Sequence, residues 1–192
     1  VYLNVSDGKL VRTHKQAVTG VTESRVNKNG KTVHEEKFDV LSGWLKDARI
    51  QENEFGRQWQ FLIEDGPDRF IVCMQYSSRY ATSILKALPN VDLNKEVSIK
   101  PYAFIDSNDP SKKVIGITLY QDNQKVAPAF TKENPNGLPA MKQVRVKGTE
   151  VWDTEEMDNF LAAKCAEKFA EFKKEADRVA DGVADDIPDF LK

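Results

Sequence analysis

Arg57-Gln58-Trp59-Gln60-Phe61-Leu62-Ile63-Glu64, the turn Asp65-Gly66-Pro67-Asp68, and Arg69-Phe70-Ile71-Val72-Cys73-Met74-Gln75-Tyr76 form the stretch that decides the fold. In the first segment Trp59, Phe61 and Ile63 alternate with Gln58 and Gln60, and in the second Phe70, Val72, Met74 and Tyr76 share a face. A period of two is the signature of a strand with one face buried, so the stretch reads as two strands joined by a tight turn. Upstream, residues 38–50 are long for one strand, and Gly43 in their middle invites a bend or bulge. The polar loop Gln51-Glu52-Asn53-Glu54-Phe55-Gly56 separates them from Arg57. Downstream, Ser77 or Ser78 caps a short helix over residues 78–88, which Pro89 stops. Residues 96–105 and 113–121 read as two more strands, joined by Asp106-Ser107-Asn108-Asp109-Pro110-Ser111-Lys112.

The order strand, strand, strand, helix, strand, strand, with a bent first strand, is that of an OB-fold, a small five-stranded barrel. An α+β sheet can share this string; the bend, the helix position and the loop lengths favour the barrel. The expected fold class is therefore mainly β: an OB-fold barrel with an added N-terminal β-hairpin, then a C-terminal α-helix and an acidic tail. Asn29-Gly30, between Ser24-Arg25-Val26 and Thr32-Val33-His34, is the hairpin signal. Residues 122–150 form a loop-rich extension with a basic cluster, Lys142, Arg145 and Lys147, on an alternating segment that can add a strand. Asp153, with Glu156 three residues on, makes a capping-box pattern. Met157, Phe160, Leu161, Cys165, Phe169, Phe172 and Ala176 then recur at helical spacing, and Gly182 is expected to end the helix. Three regions follow: a nucleic-acid-binding domain over 1–150, an amphipathic helix over 151–180 and a flexible acidic tail over 181–192.

The formal charge of −2 over 192 residues hides a split. Residues 151–192 hold 12 Asp/Glu and 6 Lys/Arg, whereas residues 1–150 hold 22 Lys/Arg and 18 Asp/Glu. A mildly basic body with an acidic tail suggests an anionic ligand on the body and a separate task for the tail. Cys73 and Cys165 lie far apart in apolar or helical sequence and read as reduced, buried thiols. No apolar run approaches the roughly 18 residues that span a bilayer. The start, Val1-Tyr2-Leu3-Asn4, lacks the basic-then-apolar pattern of a signal peptide and suggests a trimmed N-terminus. The expected setting is soluble and cytoplasmic.

An enzyme is not expected. The ten glycines are scattered singly through turns rather than gathered in a phosphate loop. His14 and His34 are the only histidines, and neither has metal-ligand spacing, so no metal or other cofactor is expected. A single-stranded nucleic acid is the better match, because it needs cations along its backbone and aromatic faces for unpaired bases. On the central strands and their flanking loops, Phe55, Trp59, Phe61, Phe70 and Tyr76 are the candidate stacking residues. Arg57, Arg69, Lys112, Lys113, Lys142 and Arg145 are the candidate phosphate contacts. Two assignments stay open for Trp59 and Phe61, core filling and base stacking; Arg57 on their face favours an exposed site at the barrel mouth. Trp44, beside Gly43, is expected in the core.

The last residues, Asp185-Asp186-Ile187-Pro188-Asp189-Phe190, are similar to the tail of bacterial single-stranded-DNA-binding (SSB) proteins, in which aspartates precede Ile-Pro-Phe. Joined to an OB-like body over residues 37–121, the chain resembles a phage or bacterial SSB protein. The resemblance implies that the body coats single-stranded DNA without strong sequence preference, and that residues 185–190 recruit replication, recombination and repair proteins. It implies a bacterial host cell as the compartment if the protein is phage-encoded. Here Asp189 intervenes before the Phe, Leu191-Lys192 follow it, and a helix stands where the bacterial pattern has a long linker. These departures suggest a phage-type variant, with the helix packed on the barrel or mediating self-association. In phage proteins of this kind an acidic tail can also cover the DNA groove until single strands displace it. The rival reading is a protein-interaction module, for example a virion or assembly component on an OB-like scaffold. Single-stranded RNA is a further candidate ligand.

Overall fold

The computed structural model describes residues 1–54 and 56–185, with side chains placed up to Arg178. The chain opens with β1 (Tyr2–Ser6) and β2 (Lys9–His14), followed by the hairpin of β3 (Glu23–Val26) and β4 (Thr32–Phe38). The Asn29-Gly30 turn is organised by Asn27, whose side-chain oxygen accepts from the N–H groups of Asn29 and Lys31 at 2.9 and 3.0 Å. The long bent strand expected from residue 38 begins later, as β5 (Leu41–Asn53), after a break at Asp39 and Val40. It also runs on into the segment expected to be loop. Gly43 has φ +153°, and a Cβ there would sit 2.6 Å from the Glu64 carbonyl oxygen, so only glycine fits this approach to the neighbouring strand. The bulge between Leu45 and Asp47 adds to the bend.

The deciding stretch forms β6 (Gly56–Asp65) and β7 (Asp68–Gln75), paired from Gln58↔Gln75 to Asp65↔Asp68. Helix α1 (Arg79–Ala87) follows; the Ser78 hydroxyl accepts from the Ala81 N–H at 3.2 Å, and Pro89 lies in a 3₁₀ turn, Leu88–Asn90. Two long strands, β8 (Glu96–Asp106) and β9 (Asp109–Gln121), pair along their length, and the short β10 (Gln124–Lys125) folds back on β9. The basic segment does add a strand: β11 (Lys142–Val146) pairs with β12 (Thr149–Asp153) in a separate two-stranded ribbon. That ribbon carries the chain across residue 150.

Ten strands form one sheet in the order β10-β9-β8-β5-β6-β7-β1-β2-β4-β3. The five strands expected to make a barrel are consecutive in it, yet the sheet does not close. Barrel closure would need the outer edge of β7 to face β9, and β1 takes that edge instead, in parallel register with Tyr2↔Ile71 and Leu3↔Val72. The hairpin that begins with β1 turns back toward the other end of the five. The Gly8 N–H donates to the Tyr80 hydroxyl at 3.0 Å, and Lys113 pairs with Asp7.

One apolar cluster joins the inner face of the sheet to both helices. It includes Leu3, Leu10, Leu45, Phe61, Ile63, Val72, Ile84, Leu88, Ile99 and Leu119. Trp44, expected there, is exposed, because its alternation along β5 places it opposite to the buried Leu45. Helix α2 (Glu155–Asp185) contributes Met157, Leu161, Cys165 and Phe169, buried at the expected spacing. Phe160 and Phe172 are half-buried, and Phe160 meets Phe130 edge-on at 5.4 Å. Ala176 is exposed, so the buried stripe ends a turn earlier than its spacing suggests. The helix also passes Gly182 to Asp185 instead of stopping at it.

The start of α2 departs from a capping box. Asp153 accepts from the Glu155 N–H at 3.0 Å and the Thr154 hydroxyl donates to the buried Asp158 at 2.7 Å, while Glu156 pairs with Lys142. Cys73 and Cys165 are free and buried, and burial holds both thiols above their ordinary range, Cys165 up to about 12. Among the described residues no helix is long and apolar enough to cross a membrane.

Candidate functional site

Burial decides the fate of the expected stacking residues. Trp59 is 2% exposed, Phe61 0% and Tyr76 9%. They form a column inside the core, with Trp59 stacked on Phe61 at 5.6 Å and on Tyr76 at 5.9 Å. Arg57 caps the column, its guanidinium carbon 3.9 Å from the centre of the Tyr76 ring. The Tyr76 hydroxyl donates to Asn159 of α2 at 3.0 Å, and burial raises its pKa against the opposing pull of Arg57. Core filling is therefore the assignment for Trp59 and Phe61, and base stacking by these three rings is corrected. The physical reason is that the inner face of β6 and β7 is the one packed against the helices. Phe70 is half-buried against the same core, and Phe55 lies outside the described residues.

The expected phosphate contacts are mostly neutralised. Arg69 pairs with Glu64 at 2.9 Å and Lys112 with Asp106 at 3.3 Å, while Lys113 and Lys142 are taken by Asp7 and Glu156. The Arg145 Nε–H donates to the Gly148 carbonyl at 3.3 Å. Asp186-Ile187-Pro188-Asp189-Phe190 lie outside the described residues, and of the tip only Asp185 is placed, as the last residue of α2.

Exposed aromatics and carboxylate-free cations come together elsewhere, along the outer side of α1. Tyr80, Ala81, Ile84 and Leu85 turn into the core. The opposite face then carries Arg79, Thr82, Ser83 and Lys86, which the helical repeat brings into one row. Two hollows open on this row and share Ser83 and Lys86. The larger, about 430 Å³, is lined also by Arg79, Thr82, Met141 and, from the ribbon, Trp152. The smaller, about 250 Å³, is lined by Tyr102, Thr118, Lys125 and Pro128.

Strand β8 supplies the far wall. Its alternation buries Val97 and Ile99 and turns Lys100, Tyr102 and Phe104 to the other face, where Lys100 lies opposite Thr118. Tyr102 and Phe104 stack at 5.8 Å, and Phe104 is 55% exposed. Tyr102 lies across Gly116, where a Cβ would meet its hydroxyl at 2.4 Å and the Ser83 hydroxyl at 2.8 Å. Trp152, 62% exposed, stands on the ribbon face that also holds Arg145.

Lys86 and Lys125 have no carboxylate partner among the described residues, Lys100 shares the field of Asp39 with Lys9, and Arg79 donates only to the Lys113 carbonyl, at 3.4 Å. A groove so lined offers flat apolar faces beside free positive charge. Sequence reading passed over these residues, though Lys100-Pro101-Tyr102-Ala103-Phe104 carries a two-residue repeat as clear as that of β6. Comparison with protein-family models, curated proteins and solved structures found no match to this chain.

Proposed function

We propose that this is a non-enzymatic protein that binds single-stranded DNA, with the groove along α1 as its binding surface. The observation that carries the reading is the meeting of half-buried Tyr102 and exposed Trp152 with Arg79, Lys86 and Lys125, cations free of carboxylates among the described residues, while exposed Phe104 stacks on Tyr102. Each base stacked on such a ring contributes about 1–3 kcal/mol with little regard to sequence, and the cations displace counterions from the phosphates. Lysine beside an aromatic face is less expected on a surface that grips a protein, since interface cores are depleted in lysine.

The unit β5-β6-β7-α1-β8-β9 is, in this reading, an OB-fold with its last seam held open. Its element order and the antiparallel pairing of β5 with β8 support that assignment. The acidic segment after residue 180 serves as the recruiting element for replication and recombination proteins, and the cytoplasm is the setting.

The test is titration of labelled poly-dT against the protein, with a duplex of matched length as control. Tight single-strand binding that Trp152→Ala together with Phe104→Ala weakens by tenfold or more is the expected outcome, since two stacked bases are lost. Equal binding by wild type and double variant removes the groove from the reading.

A further inference from the structure

The place where the five-strand unit stays open is itself a hollow of about 370 Å³, walled by β1, β6, β7, the start of α1 and β9. It meets the groove at Ile115, which lines both. Its lining combines the apolar Val5, Met74, Tyr80 and Ile115 with the amide-bearing Asn4, Gln58 and Gln75. Gln58 and Gln75 face each other directly across the β6–β7 ladder, and Asn4 is aligned with Cys73 one strand further on.

The neighbouring Gln60 shows what an occupied amide looks like on this surface. It is 4% exposed, accepts from Arg49 at 3.0 Å and donates to Gln51. Asn4, Gln58 and Gln75, by contrast, have no side-chain hydrogen-bond partner among the described residues. Three unpaired amides that share the outer face of the ladder, at a hollow with apolar side chains in its lining, match a flat heteroaromatic ring with donors and acceptors on its edge. That pattern belongs to a nucleobase.

We propose that the seam hollow takes one unpaired nucleobase, adenine above all, inserted from a strand lying in the α1 groove. An amide offers one donor and one acceptor side by side, the complement of the adenine N6 amino group and N7. A second amide can then serve N1, so that Gln58 and Gln75 share one adenine edge between them. The inference rests on the single-strand reading of the groove, and it adds a modest base preference to binding that otherwise tolerates any sequence.

The experiment uses the full chain with isotope-labelled side-chain amides, titrated with 2′-deoxyadenosine and, as control, with 2-deoxyribose 5-phosphate. Deoxyadenosine is expected to move the amide resonances of Asn4, Gln58 and Gln75, and the sugar phosphate to leave them in place. In strands, a dA-containing oligonucleotide should bind about fivefold tighter than one with abasic sites at the dA positions, toward the low end of amide–base discrimination. Gln58→Leu with Gln75→Leu should erase that amide-dependent part of the ratio relative to wild type while keeping poly-dT binding, which also certifies the fold of the variant. If deoxyadenosine leaves all three amides unmoved, the base pocket is wrong, whatever the strand affinity. If deoxyadenosine moves them but no strand binds, the pocket stands and the single-strand reading falls.

Discussion

At the scale of single residues, aromatic rings sort by the side of the sheet they occupy. Trp59 and Phe61 lie on the inner face of β6, where each ring meets the other and the core. Trp59→Ala together with Phe61→Ala is thus expected to unfold the protein instead of only weakening a ligand. Each large-to-small change at a fully buried ring costs about 3–5 kcal/mol, and a domain has about 5–15 kcal/mol in all. Loss of the cooperative transition in a thermal melt is the expected result; a native-like melt with lost DNA affinity would return both rings to the binding face. Gly116 makes the converse case, a small residue whose lack of a side chain positions a ring. In Gly116→Ala the new methyl group overlaps Tyr102 and Ser83, so Tyr102 must swing out. Overpacking of this kind costs about 1–3 kcal/mol, read as a lowered denaturant midpoint. A variant as stable as wild type, with unchanged Tyr102 reactivity toward a tyrosine-directed reagent, would show that the ring is not held there.

At the scale of elements, α2 divides at Phe172. Before it, Leu161 is fully buried and Met157, Cys165 and Phe169 nearly so; after it, the described side chains from Lys173 to Arg178 are exposed. Leu161→Ala should lower stability by about 2–5 kcal/mol. A chain ending at Lys174 should melt within a few degrees of the full one, since the Lys173–Asp47 ion pair at 3.6 Å is kept and exposed pairs contribute little in any case. A large drop in melting temperature on that truncation would mean that the distal helix is part of the core. Strands and helices of this chain were legible where burial leaves a period: Trp59/Phe61/Ile63 predicts β6, and the Met157–Phe169 stripe predicts the docked half of α2. What the pattern lacked was tertiary. Alternation names the two faces of β6 without saying which one the helices cover. Nor does it show β1 occupying the edge of β7, which only the pairing of distant segments decides. The groove stayed hidden for the same reason, as Lys86, Tyr102 and Trp152 meet only once α1, β8 and the ribbon are in place.

At the scale of the whole molecule, net charge is a poor guide to where an anion binds. Many of the cations on the body are matched to carboxylates: Lys9 with Asp39, Arg25 with Glu35, Lys37 with Glu23, Lys95 with Asp122. A phosphate approaching Arg69 or Lys113 must compete with Glu64 or Asp7, whereas one approaching Arg79, Lys86 or Lys125 releases only mobile counterions. Three such contacts give log Kd a dependence on log salt of about 2 in magnitude, at roughly 0.7 per phosphate on a single strand. Lys86→Ala and Lys125→Ala should each flatten that slope by about 0.7 and weaken binding alike on every sequence, while Arg69→Ala leaves the slope where it was. Salt titrations of the three variants on poly-dT read this directly. A slope that falls with Arg69→Ala and holds with Lys86→Ala would move the phosphate track off α1 and back to the β6–β7 turn.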